Sequence, residues 1–437
     1  MQVDTIALTP ALRSSASGSA PEAPSSRPVD VSSIAPAPPE PKALRLSVLY
    51  AVVFVEIGIA MPFMPVWLNA LGLDAAVIGA LLALPIAIRI VATAPLVGLI
   101  DRGVAAQRIL LTGSLVLAAT YALMPAGAAI GWPLLALLIA VNAVAAAPLV
   151  PSIDYMTLSA VRRSARLSYA RIRMAGSIGF LLANLAGGAA LGAMGEQLAI
   201  PLLLTLLALI AATVALVARV EVPAAPRDPE APRPRLPAVL WLSIGAAALI
   251  QSSHAAIYAF GSIHWSTHGI PPSWIGTLWA IGVASEILLF AGIGRLPPSW
   301  RGPFALLALG GGAALLRALG MAWFGERLGA LIALQVLHGL TFGATQLGAM
   351  AAVSRFAPDG ARGRAQGTVS SAGALASASA TLLTGVAYQA GGGPLAFALM
   401  APLAFAGLCL VARAARAAHA FGLHTTTFVG QQARRRD

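Results

Sequence analysis

Leu278–Gly294 reads LWAIGVASEILLFAGIG. Sixteen of these seventeen residues are apolar, small or hydroxylic; the seventeenth is Glu286. The stretch is apolar on every face, as expected of a helix that lies in lipid. About 20 such residues cross a ~30 Å hydrocarbon core. Blocks of this kind recur along the chain, roughly at 44–69, 75–99, 107–125, 132–153, 170–194, 198–219, 237–265, 272–294, 303–323, 328–351, 366–389 and 395–417. The fold class this predicts is an all-α membrane protein with twelve transmembrane helices in two six-helix bundles.

Composition agrees. Of 437 residues 58% are hydrophobic and 10% charged, and the mean hydropathy is +0.82; a soluble domain carries about 25% charged residues. The single cysteine, Cys409, excludes an internal disulfide and a cysteine-based metal cluster. The net charge of +12 does not point to nucleic acid, because its distribution follows the apolar blocks. All but three of the 28 basic residues lie in the tails or in alternate gaps, among them Arg162, Arg163 and Arg166, and Arg355, Arg362 and Arg364. The exceptions are Arg327, in an opposite gap, and Arg89 and Arg317, within blocks. This is the positive-inside pattern. It predicts a multi-pass protein of the cell inner membrane with both termini cytoplasmic and basic loops facing anionic headgroups.

Residues 1–42, rich in Ala, Ser and Pro, read as a disordered cytoplasmic tail. Residues 220–236, VEVPAAPRDPEAPRPRL, read as a cytoplasmic linker. They separate an N-terminal bundle, 43–219, from a C-terminal bundle, 237–418, and 419–437 form a second cytoplasmic tail. An internal repeat supports the division. An offset of 197 pairs Gly79 with Gly276, Gly72 with Gly269, Ile78 with Ile275, Leu81 with Leu278 and Ile90 with Ile287. Over Asn69–Gly98 it gives eight identities in thirty positions, and repeats of this kind are typical of transporters. The same offset sets Arg89 against Glu286.

Charged groups at mid-membrane cost roughly 2.5–3.5 kcal/mol each on insertion scales and usually face a cavity or a partner. Glu56, Arg89, Glu286 and Arg317 meet this description, with His254 and His338 as further titratable groups. Gln251, His254 and Tyr258 share one helix face at i, i+3 and i+7. Gln335, His338, Phe342 and Gln346 share another. Lipid offers no hydrogen bonds, so such stripes should point at water or ligand; the alternative is interhelical hydrogen bonding worth under ~1 kcal/mol a pair. No metal site is expected: no carboxylate stands at ligand spacing from a histidine. Gly310–Gly312 precede no Lys-Ser/Thr, so no phosphate-binding loop or ATPase motif exists. No cofactor is expected, and a gradient must supply the energy.

Several segments carry a resemblance: IQSSHAAIYAFGSIHW with WIGTLWAIGVASEILLF, SIDYMTLSAVRRSARLSYARIRMAGSIGF, and ALIALQVLHGLTFGATQLGAM. Together they resemble the phenylpropionate-permease branch of the major facilitator superfamily, across 45–417. The sharpest elements are Gln251-x-x-His254, Leu278-Trp279 with Glu286, Gln335-x-x-His338-Gly339, and Tyr169-x-x-x-Arg173-x-x-Gly176-Ser177. The resemblance implies two pseudo-symmetric six-helix bundles around a central cavity, and proton-coupled uptake; a monomer is expected. Sugar:proton symporters of the lactose-permease type are more distant relatives; the acid, arginine and histidine that handle the proton there correspond to Glu286, Arg317 and His338. The superfamily's loop motif GxxxDRxGRK is reduced to GLIDRGVAAQR, which keeps Asp101 and Arg102. Glu56 stands where that branch has a small or neutral residue.

The expectation is therefore a symporter importing a small aromatic acid of the phenylpropionate type with protons, its partners being substrate, protons and the lipid bilayer, and not nucleic acid. Substrate would meet Arg89, Glu56, Gln251, His254, Tyr258 and Gln335; Arg317 would pair with Glu286; and Asp154 would face Arg171 and Arg173 in a gate completed by Asp101 and Arg102. The rivals are a sugar or nucleoside symporter on the same machinery, a drug:proton antiporter, and a receptor or scaffold that transports nothing.

Overall fold

The computed structural model describes residues 41–161, 164, 167–217, 235–358 and 361–420. Tail residues 1–40, most of the 220–236 linker and residues 421–437 lie outside the described residues, as does the side chain of Asp101. Helices account for the fold, and no strand occurs among the described residues. We number them α1 (Pro41–Ala70), α2 (Ala75–Val97), α3 (Ala106–Ile130), α4 (Trp132–Val161), α5 (Tyr169–Met194) and α6 (Glu196–Val217) in the first half. The second half contains α7 (Ala238–Thr267), α8 (Pro272–Arg295), α9 (Pro303–Phe324), α10 (Leu328–Phe356), α11 (Arg362–Ala398) and α12 (Met400–Ala420).

Eleven helical stretches among the described residues are long and apolar enough to cross a membrane. The last, Arg364–Ala420, has 57 residues, more than twice what one ~30 Å crossing needs. Its backbone leaves helical geometry at Gly391 and Gly392. Several helices also run past the blocks read from hydropathy: α3 continues through Pro125 to Ile130, and α4 reaches Val161. Hydropathy marks where the chain is apolar, whereas the helix continues while its backbone bonds can be made.

The repeat extends well beyond the identities in sequence. The starts of α1, α2 and α3, at residues 41, 75 and 106, recur 197 positions later at 238, 272 and 303, the starts of α7, α8 and α9. Gly72 and Gly269 both hold positive φ, 75° and 79°. Gly195 and Gly392 do likewise, at 78° and 63°. A left-handed conformation costs a residue with a Cβ roughly 1–2 kcal/mol, so glycine at both ends of the repeat preserves the same turns. The Gly195–Gly392 correspondence also accounts for the break inside α11: it is the counterpart of the turn between α5 and α6.

The halves meet where α2 packs on α11 and α5 on α8. A Cβ on Gly79 would lie 2.7 Å from the Cα of Gly385, and one on Gly276 would lie 3.3 Å from the Cα of Gly188. Gly188 and Gly385 are again 197 apart, so the two crossings are repeat-related copies of one small-residue contact, of the kind that lets membrane helices approach closely. Both crossings lie near the end of the bundle away from the described termini. A hydrogen bond from the Ala76 amide to Gln389 Oε1 (3.2 Å) adds to the seam there. Toward the terminal end, a Cβ at Gly292, Gly294, Gly367 or Gly373 would meet nothing within 4 Å. The halves are in close contact at the end away from the described termini.

This makes a prediction. A valine at Gly276 would press on the Asn184 carbonyl carbon, 3.1 Å from the added Cβ. Overpacking of this kind costs about 1–3 kcal/mol, incurred in the state where α5 and α8 touch. Gly276→Val should reach the membrane and transport about tenfold or more slowly, as read by initial uptake rate. A wild-type rate would show that this crossing is not tight during the cycle.

Candidate functional site

Two π-helical turns interrupt the spans that carry the polar stripes. One is Ile257–Gly261 in α7, and the other is Gly339–Ala344 in α10. Such turns frequently mark functional sites; here each follows one of the intramembrane histidines. His254 Nε2 lies 2.8 Å from Thr341 Oγ1, and its Nδ1 lies 2.9 Å from the Gln251 carbonyl. The rings of His254 and His338 meet edge to face at 5.4 Å, and Tyr258 stands 5.7 Å from Trp279. Trp279 is fixed by donating Nε1–H to Ser262 Oγ at 2.9 Å. The two stripes therefore lock together as one wall.

That wall borders a cavity of about 240 Å³ between the halves. Its second-half lining includes Tyr258, Trp279, Glu286, Arg317, Gln335, His338 and Phe342. The first half contributes Phe54, Met61, Arg173, Ser177 and Phe180. Arg317 is 3% exposed, deep enough that its charge needs partners. It donates to Gln335 Oε1, and its other terminal nitrogen lies 3.2 Å from His338 Nδ1. The expected Arg317–Glu286 pair is absent among the described residues: Arg317 is already held by two neighbours from α10. Glu286 instead lines the same cavity as Arg173, which enters it from the first half.

Arg173 was expected at the gate. It lies one helical turn inside α5, with its guanidinium 4.0 Å from the centre of the Phe54 ring and 5.4 Å from that of Tyr50. One terminal nitrogen, Nη1, is buried with no hydrogen-bond partner. The expected partner of Arg173, Asp154, accepts from the hydroxyls of Tyr50 and Tyr169, the latter at 2.8 Å. Two phenols satisfy that carboxylate, so neither Arg171, which is exposed, nor Arg173 bridges to it. Arg102 is exposed on the short turn Ile100–Arg102 that follows α2, and the side chain of Asp101 lies outside the described residues.

Arg89 and Glu56 line a different and larger cavity, of about 580 Å³, with Tyr121, Asn142 and Thr381. Glu56 is buried and accepts a 2.5 Å hydrogen bond from Tyr121; no ion pair joins it to Arg89, which is exposed. Gln251 lines a third space of about 260 Å³ with Gln346 and Ser370, and its amide reaches the Phe342 carbonyl at 3.5 Å. Of the three α7 residues expected around Arg89, only Tyr258 borders the Arg89 cavity, and it borders the other two spaces as well. His254 lines none of the three spaces, and the rest of the expected substrate set is divided among them, with Tyr258 shared.

One cluster of ligand-type side chains lies outside the sequence reading. His264, His268 and Glu326 come together at the ends of α7 and α9, with a ligand atom of each within 4.8 Å of the others. The two histidines stand at i and i+4 in the sequence, and only the carboxylate, which arrives from a loop 58 residues beyond His268, could not be placed beside them by spacing.

A bundle of membrane-length helices in two repeat-related halves, enclosing charged and aromatic cavities, has the architecture of a membrane transporter. More particularly, the chain belongs to the MFS_1 like family, whose pattern matches residues 43–399. It is 29% identical over 315 residues to the Probable 3-phenylpropionic acid transporter of Escherichia coli (strain K12), covering 70% of this chain and 80% of that protein. Among solved structures, a mutant of the nucleoside transporter NupG matches with a TM-score of 0.73 at 16% identity, over 86% of this chain and 99% of that one. A bacterial homolog of the human lysosomal transporter Spinster, inward-facing and unoccupied, matches with a TM-score of 0.62 at 16% identity, over 87% and 96%. At such identities these two show the fold.

Proposed function

We propose that the protein is a proton-coupled symporter that carries a small aromatic carboxylate through the membrane by alternating access between its two halves, its termini on the cytoplasmic side. The observation that carries this reading is the opposition of Arg173 and Glu286 across the inter-half cavity, between Phe54 and Phe180 on one side and Trp279, Tyr258 and Phe342 on the other. An aromatic acid needs a cation and a slot of ring faces. Arg173 offers a guanidinium nitrogen with no partner, and arginine binds a carboxylate through two parallel hydrogen bonds.

Coupling follows from charge. With Glu286 ionised, a second carboxylate entering beside Arg173 meets a like charge in a low-dielectric space, where such repulsion is strong. A proton on Glu286 removes the repulsion and leaves Arg173 wholly to the substrate. Anion and proton then bind together, and the closed crossings Gly79–Gly385 and Gly188–Gly276 exchange with closure at the other end to release both. A proton drives this cycle only to the extent that it binds the two states differently. Arg317, held by Gln335 and His338, keeps the cavity electropositive beneath the substrate.

Uptake into proteoliposomes of labelled 3-phenylpropionate, cinnamate, a nucleoside and a galactoside, with and without an imposed pH gradient, tests the proposal. The aromatic acids should accumulate only with the acidic side outside the receiving compartment. Accumulation of the nucleoside or the galactoside alone would replace the substrate class, and uptake indifferent to the gradient would remove the proton.

A further inference from the structure

The cluster at the closed end of the bundle belongs to neither cavity. His268 Nε2 lies 3.1 Å from Glu326 Oε1, and the rings of His264 and His268 are 4.2 Å apart. Tetrahedral zinc with bonds of about 2.0–2.1 Å sets neighbouring ligand atoms about 3.3 Å apart, so the His268–Glu326 pair already spans one edge of such a site. His268 Nδ1 lies 2.6 Å from the His264 carbonyl, the second-shell bond that usually fixes the tautomer of a metal-binding histidine and leaves Nε2 as the ligand. His264 is 2% exposed, yet neither of its ring nitrogens makes a hydrogen bond among the described residues, and Nδ1 is wholly buried. A buried imidazole without a partner is costly. A Cβ at residue 325 would stand 3.4 Å from His264 Nε2, so glycine there leaves that nitrogen uncovered beside Glu326.

The fold itself does not require polar residues at these positions. Subtracting the repeat offset of 197 from 264, 268 and 326 gives Trp67, Leu71 and Ala129, so the first half builds the same corner from apolar side chains. The three polar residues are an addition confined to the second half. Their side chains are reachable: His268 is 36% and Glu326 57% exposed.

We propose that His264, His268 and Glu326 form a binding site for a divalent transition-metal ion of the zinc type, with solvent completing the coordination. Two neutral imidazoles and one carboxylate are the donor set that suits zinc, cobalt or nickel over calcium or magnesium, which take oxygen. The ion would tie the end of α7 to the loop between α9 and α10. It would act beside the seam, where Ser266 Oγ, on the same turn of α7, reaches Glu196 Oε1 of the first half at 3.4 Å.

The test uses the full chain, purified in detergent without a histidine tag and stripped with a chelator, titrated with Co²⁺ alone and then with Zn²⁺. One equivalent of Co²⁺ should bind with visible absorption of a low-symmetry nitrogen and oxygen site, and Zn²⁺ should displace it. His268→Ala and Glu326→Gln should each weaken binding at least about tenfold, ligand losses being no milder than the 10–100-fold losses known for second-shell partners. His419→Gln should leave binding unchanged. Glu326→Gln preserves size and shape, so a loss in that variant reports on the ligand and not on folding. Absence of stoichiometric Co²⁺ and Zn²⁺ binding to the wild type, or binding unaltered in both ligand variants, would overturn the site.

Discussion

Glu286→Gln is expected to exchange labelled substrate across the membrane at a substantial rate while failing to accumulate it against a gradient. The glutamine amide has the shape of the protonated acid and no charge to set against an incoming carboxylate, so substrate should bind whatever the pH. The side chain can no longer give up a proton on the other side. A 1:1 symporter working on one pH unit gains about 1.4 kcal/mol, a tenfold accumulation; in the variant the ratio should fall to one. The structure sharpens this expectation. Were Glu286 the partner of Arg317, its loss would leave a buried cation unpaired, and exchange would fall along with accumulation. Since Arg317 is bound by Gln335 and His338, the substitution removes nothing from Arg317. Exchange by counterflow and accumulation under an imposed gradient are therefore separable measurements on one variant. Gradient-driven accumulation surviving in Glu286→Gln would take Glu286 out of the proton path.

The architecture was legible because each element answers to lipid alone. Apolar length, alternating basic loops and an offset of 197 residues depend on chain-local properties, and the structure repeats the offset at helix starts, at positive-φ glycines and at both crossings. The polar stripes were legible for the same reason, since a polar face on an apolar helix must find a partner. What could not be read was which partner each charge finds. Arg317 was matched to Glu286 by charge, but a neutral carboxamide and an imidazole one helix away satisfy it. Asp154 was matched to arginines by charge, but two phenols reach it first. Nor did sequence show that Arg173 points into the protein. The motif Tyr169-x-x-x-Arg173-x-x-Gly176 held the signal: α5 begins at Tyr169, so Arg173 is already one turn inside, and Gly176 leaves room for its guanidinium, whose Nη1 would sit 3.0 Å from a Cβ there. The π turns of α7 and α10 have no compositional mark and arise from packing. The metal-ligand cluster joins residues 58 positions apart through a turn that periodicity cannot see.

Replacing Arg173 should have the largest effect on substrate affinity. Its guanidinium is clamped by the faces of Phe54 and Tyr50, which fix its plane and leave Nη1 pointing to no acceptor in the protein. Hydrogen bonds to charged groups contribute about 1.5–3 kcal/mol each in net terms. Arg173→Gln, which keeps a donor and loses the charge, should therefore raise KM for an aromatic acid by about 10- to 100-fold. Arg173→Lys restores the charge but not the planar fork, nor the stacking on two rings, so it should recover only part of the loss. A second measurement distinguishes binding from structure. If Arg173 serves the carboxylate, the neutral amide of the same acid should bind wild type and Arg173→Gln about equally, because neither offers it an ion pair. If Arg173 only holds α5 against α1 through Phe54 and Tyr50, acid and amide should weaken together. The corresponding change at Arg89, which borders the larger cavity with Glu56 and is exposed, should leave the affinity for the acid within about threefold of wild type, inside the scatter of surface changes. An Arg89→Lys variant that loses the acid as severely as Arg173→Gln would return the substrate to the first-half cavity.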